Sequence, residues 1–122
     1  MQETAQLNNL LQGLFKLSQK VTLFVPTQDA TGKVLDMARV EELQKAVAAD
    51  MARVAGGATV TKGLGSWMGE HGLVQEEVYL VASNCNNLLE VVQVAKTWAE
   101  RLKAELHQEA VALEINGELY LV

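Results

Sequence analysis

Apolar residues recur along this chain with two periods, one helical and one of strands. Leu7, Leu10, Leu11, Leu14 and Leu17, with Phe15 beside them, fall at three- and four-residue steps, which predicts an amphipathic helix over residues 4–18. Gly13 sits inside that stripe and weakens the helix by about 1 kcal/mol relative to alanine. A second stripe is formed by Val40, Leu43, Val47, Met51 and Val54. Asp36 is placed to cap it, Glu41 and Glu42 suit its positive end, and Gly56 and Gly57 suit its termination. The third stripe runs from Leu88 through Val91, Val92, Ala95, Trp98, Ala99 and Leu102 to Leu106, ending about His107. Asn87 followed by Glu90 has the spacing of a capping box for that helix.

Between the stripes the pattern shortens to two. Val21 to Val25 is a short strand, ended by Pro26, which has no amide hydrogen for a ladder. Ala58 to Met68 and Leu73 to Ser83 flank a turn from Gly69 to Gly72, and together they read as a hairpin. Ala110 to Ile115 and Glu118 to Val122 flank Asn116-Gly117, a strong signal for a two-residue hairpin turn. The order predicts an α+β fold, a ferredoxin-like (βαββαβ) antiparallel sheet with an extra N-terminal helix and a C-terminal β-hairpin. Residues 1–20 are then an N-terminal amphipathic helix and residues 21–122 a single α+β domain. Both later helices should pack on one sheet face. The other face is left for the N-terminal helix, a ligand or a second copy.

Composition narrows the functional classes. Fifteen acidic and ten basic side chains give a net charge of -5, so a duplex nucleic acid is repelled at long range, and Arg39, Arg53 and Arg101 form no basic cluster. The single cysteine permits no intrachain disulfide and suits a reducing compartment, so a cytoplasmic location is expected. No run is long and apolar enough to span a bilayer, and no membrane association is expected. Two histidines and one cysteine without paired spacing make no metal constellation, and neither a metal nor another cofactor is expected.

Strand alternation places Val21, Leu23 and Val25 on one face and Thr22 and Phe24 on the other. In the following strand Thr59, Thr61, Gly63, Gly65 and Trp67 share a face. Two glycines on one side of a strand let a flat ligand come close, and Trp67 beside them is a candidate stacking wall. The loop after the first strand, residues 27–33, offers Thr27 and its neighbours to an anion, though such residues are also ordinary turn formers. His71 in the hairpin turn and Tyr79 on its second strand are the remaining polar candidates. Cys85 precedes a helix, where a thiol can be acidified, but no base is placed beside it and small apolar filler is its ordinary role. Glu76 and Glu77 point to opposite faces and form no carboxylate pair. No catalytic residue is assigned.

The sequence blocks FVPT (24 to 27), GGAT (56 to 59), GLGSW (63 to 67) and VYLVAS (78 to 83) resemble those of small uncharacterised proteins of bacteria and their phages. The resemblance implies an accessory or host-interaction setting and carries over no catalytic residue. The expected function is non-enzymatic binding of a small molecule, a nucleotide signal sequestered by a phage-type homo-oligomer. Its ligand-binding residues would be Phe24, Thr27, Thr61, Gly63, Gly65, Trp67, His71 and Tyr79. Two alternatives come from other classes: an enzyme on a dimeric ferredoxin-like scaffold, and a protein-interaction module that docks through its N-terminal helix.

Overall fold

The computed structural model describes residues 1–122. The elements are α1 (Gln2–Leu11), β1 (Gln19–Pro26), α2 (Met37–Ala55), β2 (Thr59–Gly69), β3 (Gly72–Cys85), α3 (Leu88–Glu105), β4 (Ala112–Ile115) and β5 (Glu118–Leu121). The strands form one sheet in the order β2-β3-β1-β4-β5, and every neighbouring pair is antiparallel. The chain is therefore α+β, with a five-stranded antiparallel sheet and three helices.

The core lies on one face of this sheet. Val21, Leu23 and Val25 of β1, Val81 and Cys85 of β3, and Leu113 of β4 meet the apolar stripes of α2 and α3 in one buried cluster. Local chemistry ends the elements where the side chains dictate. The Asp36 carboxylate accepts a hydrogen bond from Ala38 N at the start of α2, and Gly56 takes the left-handed φ of 99° that terminates it. Asn116 and Gly117 both adopt positive φ, 52° and 85°, as a tight hairpin turn requires. That turn is fixed to β1, because Lys20 N donates to Asn116 Oδ1 at 2.9 Å and Asn116 N donates to Lys20 O at 2.9 Å.

Several local expectations change. The first helix stops at Leu11, and Gly13 turns with φ 83°, so the apolar stripe through Leu17 is only partly helical. Residues 1–18 are exposed throughout, and α1 buries none of its residues against the fold. Asn87 makes no capping bond to the α3 backbone; its amide donates to Val54 O at 3.0 Å and so ties the start of α3 to the end of α2. β3 runs to Cys85, two residues past its expected end, because Gln19 and Lys20 of β1 pair with Cys85 and Asn84. No helix is long and apolar enough to cross a membrane.

Candidate functional site on the uncovered sheet face

The face of the sheet opposite α2 and α3 carries no helix. Cross-strand register decides which side chains share it, since directly opposed residues point the same way. β1 contributes Thr22 and Phe24, β3 contributes Glu76, Val78 and Leu80, and β2 contributes Thr61, Gly63, Gly65 and Trp67. Five of the residues expected from the sequence, Phe24, Thr61, Gly63, Gly65 and Trp67, are thus brought onto one surface.

The other three stand elsewhere. Tyr79 pairs with Val25 and faces the helix side, where it packs against the core, with the Lys62 ammonium 5.6 Å from its ring centre. His71 is exposed at the tip of the β2–β3 turn. Thr27 is buried, 4 % exposed, and its hydroxyl donates to Glu77 O at 2.5 Å, so it anchors a loop. Cys85 is fully buried on the helix side and burial raises its thiol pKa, the reverse of the acidification its position before a helix allowed.

The expected glycine groove is filled by neighbouring side chains. A Cβ at Gly65 would lie 3.5 Å from Cζ3 of Trp67, so the indole folds back along its own strand over the glycine. A Cβ at Gly63 would lie 3.2 Å from Cδ1 of Leu80, which covers that position from β3. The glycines therefore admit two large side chains of this chain. The result is an apolar floor of Leu80, Val78 and Phe24 with the half-exposed Trp67 ring at one end.

Sequence reasoning passed over Glu76. It faces the uncovered side directly across from Gly65, one residue pair from Trp67. After β1 the chain bends across β3: Gln28 N donates to Glu76 Oε2 at 3.0 Å, while Thr27 holds the Glu77 carbonyl. Gln108 Nε2 donates to Gln28 O at 2.6 Å and pins this bend from the far side. The partial burial that results raises the pKa of Glu76, and the backbone N–H groups of Gln28 and Thr27 pull the other way. Glu77 points to the helix side and pairs with Lys62 at 3.3 Å. The only signal available in the sequence was the alternation itself, which separates these two acids but does not say which of them a loop will enclose.

Further along the same face, Lys20, Thr22, Thr59, Thr61 and Asn84 surround a polar recess of about 280 Å³. Its near edge, Leu80, lies four residues from Glu76 on β3, roughly 13 Å at strand spacing. A larger hollow of about 510 Å³ lies between α2 and α3. Both of its acids are engaged, Asp50 by Arg53 and by Trp98 Nε1 at 2.8 Å and Glu90 by Asn87 Nδ2 at 3.3 Å, so that hollow presents paired carboxylates. The sheet face is the surface with an enclosed carboxylate, an aromatic ring and an apolar floor together.

No family model matches this chain, and no curated protein matches it. Among solved structures, a phage SAM lyase in complex with S-methyl-5'-thioadenosine aligns with a TM-score of 0.61 at 13 % identity, covering 89 % of this chain and 94 % of that one. A phage SAM lyase in the apo state aligns with a TM-score of 0.57 at 17 % identity, with 89 % and 94 % coverage. These identities make the likeness one of fold, shared over most of the length of both chains.

Proposed function

We propose that this chain is a phage-type protein that binds S-adenosylmethionine on its uncovered sheet face and cleaves it to S-methyl-5'-thioadenosine. The protein would work as a homo-oligomer in a host cytoplasm, on a core of ferredoxin-like βαββαβ order. The observation that carries this reading is the alignment of 89 % of the chain with a phage SAM lyase holding S-methyl-5'-thioadenosine. The sheet face is chemically suited to such a ligand. Glu76 offers a negative charge to a sulfonium, Trp67 a flat wall to an adenine, and Phe24, Val78 and Leu80 an apolar floor, while Thr61 and the recess beyond it offer hydroxyls.

The chemistry assigns Glu76 one of two roles. In the cleavage the Cγ–S bond of the aminobutyryl arm breaks, sulfur keeps the electron pair, and its positive charge disappears. No water is added. The carbon that loses sulfur is satisfied either by the substrate's own carboxylate, which closes a lactone, or by loss of a neighbouring proton to a base, which leaves an alkene. A carboxylate beside the sulfonium favours the bound substrate over the transition state in which that charge is fading, so as a counter-ion Glu76 contributes affinity and not turnover. As the base of the alkene route it would contribute turnover.

The test is to incubate the protein with S-adenosylmethionine, precipitate it with acid and measure both nucleosides by mass spectrometry. Accumulating S-methyl-5'-thioadenosine supports cleavage. Stoichiometric recovery of intact S-adenosylmethionine would support the sequestration expected from the sequence in place of cleavage. Failure of calorimetry to detect binding of either nucleoside removes the proposal. With Glu76→Gln, a raised KM with kcat unchanged or raised marks a counter-ion and a collapsed kcat marks a base.

A further inference from the structure

Each copy of this chain carries two unpartnered apolar surfaces, and they lie at opposite ends of the molecule. The first is α1 with the segment that follows it, where Leu7, Leu10, Leu14 and Phe15 are 51 %, 77 %, 66 % and 86 % exposed. The second is the β2–β3 arm beyond the end of β1. On its helix-side face Leu64, Met68 and Leu73 are 68 %, 77 % and 64 % exposed, because α2 and α3 do not extend over it.

Within one chain the leucines of α1 cannot reach the outer part of the arm, Met68 and Leu73. Residues 16 to 18 are held at the opposite end of the sheet, where Asn86 Nδ2 donates to Lys16 O at 2.9 Å and Ser18 N donates to Asn86 Oδ1 at 3.1 Å. From Lys16 five residues of extended chain reach Leu11 within about 18 Å, and the helical rise to Leu7 adds about 6 Å. Leu73 lies twelve residues along β3 from Cys85, about 40 Å at strand spacing. The leucines of α1 therefore fall well short of Met68 and Leu73 of their own chain.

We infer that α1 of one copy covers the helix-side face of the β2–β3 arm of a second copy. The inference deepens the homo-oligomer part of the proposed function and is independent of which ligand is bound. α1 carries only Glu3 among its ten residues, and on the arm face Lys62 and Glu77 pair with each other at 3.3 Å, so apolar burial is what draws the two surfaces together. A stable pair buries about 800 Å² per partner, and a ten-residue helix is only about 15 Å long, so a single contact is too small. Because the surfaces sit at opposite ends, two copies lying antiparallel exchange their helices reciprocally and double the contact, and a head-to-tail ring closes it equally. Either arrangement leaves the face that bears Glu76 and Trp67 on the other side of the arm.

Sedimentation of the wild type and of the double variant Leu7→Glu/Leu10→Glu tests this. The expected result is an oligomeric wild type and at least tenfold weaker association in the variant. Both positions are exposed, so the urea midpoint measured at high dilution should be unchanged. A monomeric wild type, or a variant that associates as the wild type does, overturns the inference. Contact is read separately by mixing a chain carrying Leu10→Cys with a longer tagged chain carrying Met68→Cys under mild oxidation; Cys85 is buried and silent. A disulfide between the two sizes is expected. No such product, or an intrachain disulfide in a dilute chain bearing both substitutions, overturns it. The nucleoside assay above is read on the same variants, so loss of association with retained binding separates the two proposals.

Discussion

Strand β3 is buried at one end and bare at the other, with no change in its own pattern. Val81, Ser83 and Cys85 are at most 1 % exposed under α2 and α3, while Leu73, on the same side of the same strand, is 64 % exposed. The alternation that places them is continuous along the strand. What differs is the cover. A period of two states that a residue points toward one side, and an apolar residue states that its side favours burial, but neither says whether the burying surface belongs to this chain. The helix-covered end holds the fold together, whereas the arm and the uncovered face leave apolar surface in water.

The largest expected difference between the two regions is in stability. Leu43→Ala in α2 removes a side chain only 2 % exposed and opens a cavity in the cluster, which should cost about 2–5 kcal/mol. Leu73→Ala on the arm removes the same atoms from a surface already in water and should leave the urea midpoint of the dilute protein almost unmoved. Equal losses at both positions would mean that the arm is covered within the monomer, and the contrast would be gone.

A smaller effect separates a buried polar contact from the surface pairs around it. Trp98 is 7 % exposed and donates through Nε1 to Asp50 at 2.8 Å. Asp50→Ala leaves that indole N–H without its partner and should cost about 1–3 kcal/mol. Asp50, itself partly buried, also pairs with Arg53, but the Arg53 side chain is well exposed and that pair contributes little. The loss should therefore persist in high salt. A loss that disappears with salt would assign it to Arg53 instead.

Legibility from sequence follows the same division. Three of the local caps and turns were readable, Asp36, Gly56 and Asn116-Gly117, whereas the expected cap Asn87 gives its amide to Val54 O of α2 instead. The stripes of α2 and α3 were readable because the helical period marks the side to be buried. Features that depend on register or on a distant loop were not. Tyr79 is directed to the core by its pairing with Val25, and nothing in its own neighbourhood says so. Glu76 is enclosed by Gln28, whose position depends on a bond from Gln108 eighty residues away. The glycines at 63 and 65 were readable as a place of close approach, but the approach is made by Leu80 and Trp67 of this chain.

Trp67 tests the uncovered face itself. The residue is 45 % exposed, so truncation to alanine should cost about 1 kcal/mol of stability, well under the loss at a fully buried aromatic. If the ring stacks on an adenine, the same truncation should weaken nucleoside binding by about 1–3 kcal/mol. Urea midpoints and calorimetric titration with S-methyl-5'-thioadenosine give both numbers. A large fall in midpoint with unchanged affinity per folded molecule would place Trp67 in the structural region and leave the face without its aromatic wall.

The smallest expected effect is at Glu76, and its sign is informative. Partial burial raises the pKa of this carboxyl, so the folded chain holds the proton more readily than the unfolded one. Stability contributed by that proton is present at low pH and is lost as pH rises from the ordinary carboxylate value through the raised one. Above the raised value the ionised Glu76 is therefore a cost to the fold, only partly offset by the bonds from Gln28 and Thr27. Glu76→Gln keeps an oxygen to accept the Gln28 N–H and removes the charge. It should raise the urea midpoint slightly at pH 7, and the advantage should vanish below the ordinary carboxylate range. A variant less stable than the wild type at pH 7, or an advantage that persists in acid, would show that the fold does not strain against this charge. A gain confined to neutral pH, joined to weaker S-adenosylmethionine binding, would mark Glu76 as a charge kept at the expense of stability for the sake of a cationic ligand.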